Sequence, residues 1–310
     1  MYGVGMIGLG IMGRRMAAAM AAHPRFRVVC GFDPRRPDDL PAISLKDSPS
    51  AVACDPAVDC VYIASPPAFH AEHVTAAAAA GKTIFCEKPL AASIAEARAC
   101  LDALREANVA GAVNFPLATA PASMRLRELV RSGDLGEVRS AVLTLRFARW
   151  PRQWQEGASE WLAGPAQGGF LREVGSHFLF LAHRLFGPGE VREAQVERGP
   201  AGGETSVRAE VAYGGVTLTI DAAVAGEVSD YNRLEVVGSR DRAAVTDWDR
   251  LDHAGTVTER LLTPTGQLDG LARLLARDPD HPLATFEEAT AVVELVETIL
   301  ASAPVAQSPT

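Results

Sequence analysis

A glycine-rich turn between a short apolar run and an alanine-rich segment is the feature that most constrains the fold of this chain. Gly8, Gly10 and Gly13 form the pattern G-x-G-x-x-G. The apolar run Tyr2–Ile7 ends directly before the turn, and the segment Ile11–Ala22 that follows favours a helix. In this context the glycines permit a tight turn, a close approach of the backbone to a pyrophosphate, and close packing of helix against strand. The pattern therefore predicts a βαβ unit that binds a dinucleotide.

The alternation of strand and helix patterns continues to about residue 116. Apolar runs typical of strands follow one another between helical patterns at Phe26–Asp33, Cys60–Ala64, Thr83–Cys86 and Val109–Val113. Strands that alternate with helices indicate a parallel sheet. We therefore expect a Rossmann domain over residues 1–117.

Negative and positive side chains near the end of the apolar run Phe26–Asp33 favour different dinucleotides. Asp33 lies at the end of that run, where a carboxylate accepts hydrogen bonds from ribose hydroxyls and repels a 2′-phosphate, which favours NAD. Arg35 and Arg36 follow directly, and their alternative role is to bind that phosphate, which would favour NADP. With the three glycines, Ile11 and Met12 complete the predicted pyrophosphate contacts.

The pattern changes after residue 117. One face of a long predicted strand carries Ala141, Leu143, Leu145 and Phe147, residues 149–168 look like a loop, and residues 170–186 look helical. Consecutive strand patterns then fill residues 190–262, which suggests an antiparallel sheet, and two helical patterns follow. The expected fold class is α/β followed by α+β. The second domain would span residues 118–302, with a mainly antiparallel open sheet covered by helices on one face, and residues 303–310 would form a flexible tail.

Composition limits the classes of partner. The protein has 310 residues, 30 Lys and Arg against 38 Asp and Glu, and a formal charge of −8, which argues against a nucleic acid because phosphates need a positive field. It contains no apolar run of membrane-spanning length, which argues against a membrane partner. The five cysteines form no C-x-x-C pair, and the N-terminus has no basic region before its apolar run. We expect reduced thiols and a cytoplasmic location.

The tripeptide Glu87-Lys88-Pro89 follows the predicted strand Thr83–Cys86. Ligands of open α/β sheets bind beyond the carboxyl ends of the strands, so Lys88 is placed to hydrogen-bond a substrate hydroxyl and stabilise a developing alkoxide. Pro89 would rigidify the turn, and Glu87 would hold a ribose hydroxyl or orient Lys88. The alternative is an ordinary surface lysine.

A second block begins at Gly168-Gly169. Glu173 and His177 follow it four residues apart, which places them on one face of an α-helix. A carboxylate beside an imidazole can give and take protons near neutral pH. On spacing alone, a structural histidine held by its neighbour is the competing interpretation.

Together with Ser65-Pro66-Pro67 and His70, these segments resemble the glucose–fructose oxidoreductase, inositol dehydrogenase and MocA-like (Gfo/Idh/MocA) family from about residue 3 to residue 302. The resemblance implies an NAD(P)-dependent dehydrogenase or reductase that transfers a hydride between nicotinamide and a hydroxyl or keto carbon of a sugar, cyclitol or related polyol. It implies Lys88 and His177 as the acid/base pair, with Glu173 orienting or tuning His177. It also implies homodimers or homotetramers joined through the open face of the second sheet, where we expect a broad apolar surface.

Two positions depart from the family pattern. The family usually has Asp where this chain has Glu173, and a later Asp, three residues after the histidine, is Phe180 here. Glu173 keeps the carboxylate but moves it outward by one methylene, whereas Phe180 removes a carboxylate from the helix. The departures leave the implied reaction class unchanged and the substrate open.

Further candidates follow from position along the chain. We expect the cofactor to contact four residues beyond the glycine turn and the Glu-Lys-Pro tripeptide, namely Ser65, Pro66, His70 and Asn114. Candidate substrate contacts are Arg146, Trp161 and Arg172. His70 and His73 are three residues apart on a helix, but no third ligand is at hand, so we expect no metal site.

Two other functions are compatible with the first domain alone. One is a catalytically silent nicotinamide-binding sensor or assembly protein, against which the retained Lys88 and His177 argue. The other is an imine or biliverdin-type reductase. The sequence does not choose the sugar, the physiological direction or the oligomer.

Overall fold

The computed structural model of the protein describes residues 1–35, 43–226 and 230–302. The protein divides into two compact units, one of Met1–Thr119 with Thr263–Val293, the other of Ala120–Leu262 with the segment that starts at Glu294. Arg36 and the predicted tail 303–310 lie outside the described residues.

The strands and helices are numbered in chain order. The strands are β1 (Tyr2–Ile7), β2 (Phe26–Phe32), β3 (Ser44–Leu45), β4 (Cys60–Ile63), β5 (Thr83–Glu87), β6 (Gly111–Asn114), β7 (Val138–Phe147), β8 (Glu190–Arg198), β9 (Glu204–Tyr213), β10 (Val216–Val224), β11 (Tyr231–Gly238), β12 (Arg242–Thr246), β13 (Arg250–His253) and β14 (Thr256–Glu259). The helices are α1 (Ile11–Ala22), α2 (Pro49–Ala53), α3 (His70–Ala79), α4 (Ile94–Ala107), α5 (Pro121–Ser132), α6 (Ser159–Leu162), α7 (Ser176–Phe186), α8 (Thr265–Leu275) and α9 (Phe286–Leu300). None of the helices in the described ranges is long and apolar enough to span a membrane.

The sheet of the first unit is parallel and has the strand order β3-β2-β1-β4-β5-β6. The order reverses direction at β1, so the connections after β1 and β4 leave on opposite faces of the sheet. Open α/β sheets bind their ligands at the carboxyl ends of the strands beside such a switch point. The predicted Rossmann sheet is confirmed.

The polypeptide returns to the first unit near its end. Leu268 and Leu271 of α8 are buried in the same cluster as Met6 of β1 and Met16 of α1. The backbone of Val113 also pairs with that of Ala284. The sequence patterns placed Leu268, Leu271 and Ala284 inside the second domain, because helical periodicity does not show which core an apolar face will cover.

The sheet of the second unit has the order β14-β13-β12-β11-β7-β10-β9-β8, and its neighbours are antiparallel except for the pair β7 and β10. Leu145 and Phe147 lie on the buried face of β7, and the Phe147 ring lies 5.3 Å from that of Phe170. A Cβ at Gly175 would lie 2.7 Å from Cδ1 of Leu171, so a larger residue there would displace the end of that side chain. The predicted mainly antiparallel sheet is confirmed.

The opposite face of this sheet is charged. Arg233 of β11 pairs with Glu235 at 2.9 Å and with Asp252 at 3.4 Å, and Arg146 of β7 pairs with Asp221 of β10. The expectation of a broad apolar face was wrong. Alternation along each strand sends alternate side chains to opposite faces, and on this face they include the ion-paired residues just named.

The segment around the predicted second block is more structured than its sequence suggested. Residues 149–168, expected as a loop, contain α6 and a 3₁₀ helix at Gln153–Ala158. The helix expected from residue 170 begins as a π-helical turn at Leu171–Gly175 and continues as α7. Single π-helical turns inside helices are frequent at functional sites.

Candidate functional site

The three glycines of the first turn have different reasons to be glycine. Gly8 has φ +92°, and a Cβ there would lie 2.5 Å from the carbonyl carbon of Ala64. At Gly13 a Cβ would lie 2.1 Å from the carbonyl oxygen of Gly8. Gly10 has φ −73°, and a Cβ there would meet no atom within 4 Å. The protein's own packing requires Gly8 and Gly13, whereas the open space at Gly10 fits the close approach of a pyrophosphate.

Asp33 ties the glycine turn to the end of β2. Its Oδ2 accepts a hydrogen bond from the backbone N–H of Leu9 at 2.8 Å, and its Oδ1 accepts one from the backbone N–H of Arg35 at 2.9 Å. Each carboxylate oxygen has a second lone pair, so both can also accept from ribose hydroxyls. The carboxylate that the sequence singled out therefore also has a structural role that the sequence did not reveal.

Three buried side chains meet at the carboxyl ends of β4, β5 and β6. We call Tyr62, Glu87 and Asn114 the strand-end cluster. The Tyr62 hydroxyl donates to Glu87 Oε1, and Asn114 Nδ2 donates to the same oxygen at 2.8 Å. Burial, and next the negative charge of Glu87, raise the pKa of Tyr62 well above its ordinary value. Tyr62 is not among the residues predicted from the sequence because it lies inside an apolar strand, although a buried tyrosine hydroxyl usually needs a partner.

One hydrogen-bond acceptor of the strand-end cluster has no donor within the described part of the chain. The group of Asn114 that faces Glu87 must be its NH₂, because a carboxylate oxygen can only accept, so the remaining atom is the amide oxygen. That oxygen is buried and accepts no hydrogen bond within the described part of the chain. An unsatisfied buried acceptor costs about 1–3 kcal/mol. The carboxamide N–H₂ of a nicotinamide is a donor of the kind this oxygen requires.

His70 links the loops that follow β4 and β5. Its ring is fully buried, with Nε2 lying 2.7 Å from the carbonyl oxygen of Ser65 and Nδ1 lying 2.9 Å from that of Pro89. The Lys88–Pro89 peptide is cis, and Lys88 itself is partly exposed just beyond the end of β5. His73 contacts the Ser65 hydroxyl through Nδ1 at 3.0 Å. The two histidines thus hold loops at the carboxyl edge of the sheet.

The charge state of His70 follows from its burial. Burial disfavours the cation and lowers the pKa of His70 to about 4, against the smaller opposing effect of the carbonyl oxygens of Ser65 and Pro89. A neutral imidazole has one N–H, so it donates to one of these two oxygens at a time. His70 is therefore suited to hold the loops and unsuited to carry protons near neutral pH.

In the second unit the π-helical turn carries Glu173, and α7 carries His177. Glu173 Oε1 accepts from Gln155 Nε2 at 3.2 Å and lies 4.0 Å from the guanidinium of Arg152. His177 is only 5% exposed, and its ring meets that of Trp248 edge to face at 4.9 Å. We call these five residues the π-turn cluster. The predicted action of Glu173 on His177 stays a prediction, because the hydrogen bond and ion pair just given lead from Glu173 to Gln155 and Arg152.

Arg152 brings a positive charge to the π-turn cluster. Its guanidinium lies 5.5 Å from the ring centroid of Trp150 and 4.9 Å from that of Trp154. Burial lowers its pKa while the charge of Glu173 opposes that change, so at neutral pH it is a cation beside a carboxylate. Residues 149–168 look like a loop in the sequence, which gives no sign that Arg152 would meet Glu173.

Comparison with known proteins agrees with this geometry. A family model described as "Oxidoreductase family, NAD-binding Rossmann fold" matches residues 2–115, and the model of the GFO/IDH/MocA C-terminal domain matches residues 123–244. The chain belongs to the GFO/IDH/MocA oxidoreductase family. The resemblance drawn from Glu87-Lys88-Pro89 and from the block ending at His177 is thereby confirmed.

Relatives within the GFO/IDH/MocA family include named sugar dehydrogenases. Levoglucosan dehydrogenase from Pseudarthrobacter phenanthrenivorans is 31% identical over 59% of this chain, and the match spans 51% of that relative. D-xylose 1-dehydrogenase (NADP(+)) 2 from Haloferax volcanii is 27% identical over 98% of this chain and 97% of its own length. The chain thus spans about half the length of the first relative. An oxidoreductase from Thermotoga maritima has the same fold, with a TM-score of 0.84 at 16% identity, covering 97% of this chain and 96% of that one.

Arg172 is not placed as a free substrate contact in this GFO/IDH/MocA protein. It is 7% exposed, and its Nε and Nη2 bind the carboxylate of Glu297 at 2.6 and 2.8 Å. Its Nη1 donates to the carbonyl oxygens of Pro165 and Gly168 at 2.9 and 2.8 Å. The role of Arg172 as a substrate contact stays a prediction, and its guanidinium is already bound by Glu297 of α9, which the local sequence does not reveal.

Arg146 also has partners within the second unit. It lies on the charged face of the second sheet, pairs with Asp221, and donates to the carbonyl oxygens of Leu145 and Asp221 at 2.9 and 2.7 Å. Strand alternation puts it on the face opposite Leu145, the residue that packs towards Gly175. Arg146 is therefore ion-paired on the face of β7 opposite Leu145, and its role as a substrate contact stays a prediction. Trp161 lies partly buried on α6, and its role as a substrate contact stays a prediction.

Proposed function

We propose that this protein is an NAD(P)-dependent dehydrogenase or reductase that transfers a hydride between nicotinamide and a hydroxyl or keto carbon of a sugar, cyclitol or related polyol. The observation that carries the proposal is the unsatisfied amide oxygen of Asn114, held at a Rossmann sheet edge beside Glu87 and Lys88. The two curated relatives named above, which act on an anhydrosugar and a pentose by their names, support the substrate class.

The protein's own residues have two tasks in such a reaction. The nicotinamide, when bound, supplies or accepts the hydride. The glycine turn and the strand-end cluster hold and orient the cofactor. Lys88 and His177 are the proposed acid/base pair, which gives a proton to the substrate oxygen or takes one from it. Glu173, beside Arg152, is proposed to orient or tune His177.

We propose NAD as the preferred cofactor. The Asp33 carboxylate is fixed by two backbone N–H groups at the end of β2, so it cannot turn away from a 2′-phosphate without breaking them. A phosphate adds nearly two negative charges, which a fixed carboxylate repels. The backbone of Arg35 is bound by the same carboxylate.

We further propose a homodimer or homotetramer joined through the charged face of the second sheet. The ion pairs of Arg146 and Arg233 alternate in sign across that face, and such a surface can match a second copy of itself in a two-fold arrangement. Because the pairs are polar, such an assembly should weaken as salt rises.

The experiment that tests the proposed activity is a turnover screen. Purified protein is offered ring sugars, cyclitols, sugar acids and open-chain polyols, each with NAD and NADP, and the formation of reduced cofactor is measured. For the opposite direction the corresponding keto compounds are offered with NADH and NADPH, and the loss of reduced cofactor is measured. Cofactor binding is measured separately by quenching of tryptophan fluorescence. Binding together with turnover supports an enzyme; binding with no turnover across the panel supports a silent sensor; and no binding contradicts the proposal.

A further inference from the structure

Trp248 lies against the proposed proton carrier without being part of any motif. Its ring meets His177 at 4.9 Å and 89°, and it meets Phe178 at 5.3 Å. Both of these neighbours are buried, whereas Trp248 is partly exposed. The indole therefore packs on α7, while the residue as a whole keeps exposed surface.

The backbone at Trp248 makes this residue type an unusual choice. It lies in the turn of residues 247–249 between β12 and β13, and Asp247 and Trp248 have φ of 46° and 77°. Left-handed backbone is uncommon for a residue other than glycine, asparagine or aspartate and is unfavourable for a bulky one. Asn232 holds the turn, donating its N–H to Asp247 Oδ1 at 3.1 Å and accepting the Asp247 N–H at 2.8 Å. Glycine would suit this position better, so the indole must contribute something that the backbone does not require.

We propose that Trp248 is a substrate-binding residue, whose indole stacks on the C–H face of a ring-form sugar or cyclitol. This inference rests on the proposed function and narrows its substrate class. Ring sugars present patches of C–H bonds whose hydrogens are slightly positive, and the faces of aromatic rings are slightly negative. Small-ligand sites are lined mainly by apolar and aromatic side chains, with a few polar groups that fix the orientation of the ligand. The stacked ring would present a hydroxyl to His177.

Stacking makes a prediction that distinguishes ring substrates from open-chain ones. A pyranose or cyclitol holds several C–H bonds on one face, whereas an open-chain polyol must first be fixed in one conformation to do so. Loss of the indole should therefore weaken binding of ring compounds much more than binding of open-chain polyols. A residue that merely supported His177 would affect both classes alike.

The test compares Trp248→Ala and Trp248→Phe with the unmutated protein on two ring compounds, myo-inositol and D-glucose, and on the acyclic polyol D-sorbitol. For the ring compounds we expect Trp248→Ala to raise KM about ten-fold, with kcat and its pH profile little changed, and Trp248→Phe to raise KM by about three-fold or less. KM for D-sorbitol should change by less than about two-fold. Met124→Ala, a loss of another exposed apolar side chain in the same unit, is the matched control and should change nothing.

Each other outcome has a meaning. A shifted pH profile or a lower kcat with unchanged KM would show that Trp248 acts through His177 and would overturn the stacking. If the unmutated protein turns over ring sugars and Trp248→Ala keeps its KM, only this inference fails. If the unmutated protein turns over none of the probes or only D-sorbitol, the ring-sugar class fails too. An unchanged far-UV circular dichroism spectrum of each variant shows that it is folded, and Trp248→Gly, which suits the positive φ, provides a second folded variant if Trp248→Ala is unstable.

Discussion

The strand-end cluster and the π-turn cluster are both polar groups in a largely apolar setting, but they are built differently. In the first, Glu87 and Asn114 are partners in the register of β5 and β6, and Tyr62 lies on β4 opposite Phe85, two residues before Glu87, so their geometry follows from three adjacent parallel strands. In the second, Arg152, which directly precedes a short 3₁₀ helix, is brought together with Glu173 of a π-helical turn. The first arrangement is suited to a cofactor that is the same in every reaction. The geometry of the second arrangement depends on contacts between individual side chains, so it can differ from one protein to another, as the recognition of different substrates requires.

The largest effect should come from the proton carriers, one in each unit. Lys88→Ala and His177→Ala should each lower kcat by about 10²–10⁴, because a positioned acid/base group contributes that much, while NAD binding is retained. Lys82→Ala is the matched control, since Lys82 lies just before β5 and donates to the carbonyl oxygens of Asp55 and Val58. Turnover that survives Lys88→Ala within about three-fold would remove Lys88 from the proposed pair.

The next largest effect is the pH dependence of stability that comes from His70, which holds the loops after β4 and β5. His70 has a pKa of about 4 in the fold against 6.5 otherwise, so the folded state binds fewer protons than the unfolded state between these values. The stability due to this shift is present above pH 6.5 and is lost as the pH falls towards 4. From about pH 7 to about pH 5 the free energy of unfolding should fall by about 2 kcal/mol on this account.

Urea unfolding at both pH values measures this effect, with His70→Asn as the comparison. The variant should be less stable at neutral pH and should show a smaller loss on acidification than the unmutated protein. Equal losses in the two proteins would mean that His70 keeps its proton in the fold, bound by the carbonyl oxygens of Ser65 and Pro89.

Two buried tyrosines provide a direct comparison between the units. The Tyr62 hydroxyl donates to Glu87, whereas the Tyr213 hydroxyl is buried and has no hydrogen-bond partner within the described part of the chain. Tyr62→Phe should lower the free energy of unfolding by about 1–3 kcal/mol, because it removes a donor from a buried carboxylate. Tyr213→Phe should leave stability unchanged or raise it, because it removes a desolvated hydroxyl. Equal losses of stability in Tyr62→Phe and Tyr213→Phe would contradict this difference between the two hydroxyls.

The sequence predicted the first unit better than the second for a physical reason. Gly8, Gly13 and Glu87-Lys88-Pro89 act through backbone geometry at strand ends, which is a local property that a motif records. Arg172 looked available until Glu297, 125 residues later, was found against it. Trp248 carried no signal, because a tryptophan at positive φ in a hairpin turn follows no turn rule. Local patterns therefore predict the class of reaction. The surroundings of His177 depend on contacts between distant segments, which local patterns do not show.

The smallest expected effect concerns Asp33 and the preference for NAD over NADP. NAD should bind more tightly than NADP to the unmutated protein, and Asp33→Ser should move the ratio of the two dissociation constants about ten-fold towards NADP, or about 1.4 kcal/mol. The change removes the repulsion of a 2′-phosphate and leaves Arg35 unopposed. It also removes the acceptor for the Leu9 N–H, so NAD binding should weaken in absolute terms as well.

Asp33→Asn separates these two effects. It keeps an acceptor oxygen for the Leu9 N–H while removing the charge, so its NAD affinity should fall less than that of Asp33→Ser for a similar shift in the ratio. Titration of tryptophan fluorescence with each cofactor gives both constants. If the unmutated protein binds NADP ten-fold more tightly than NAD, Asp33 serves the glycine turn alone and the positive charge after β2 sets the preference.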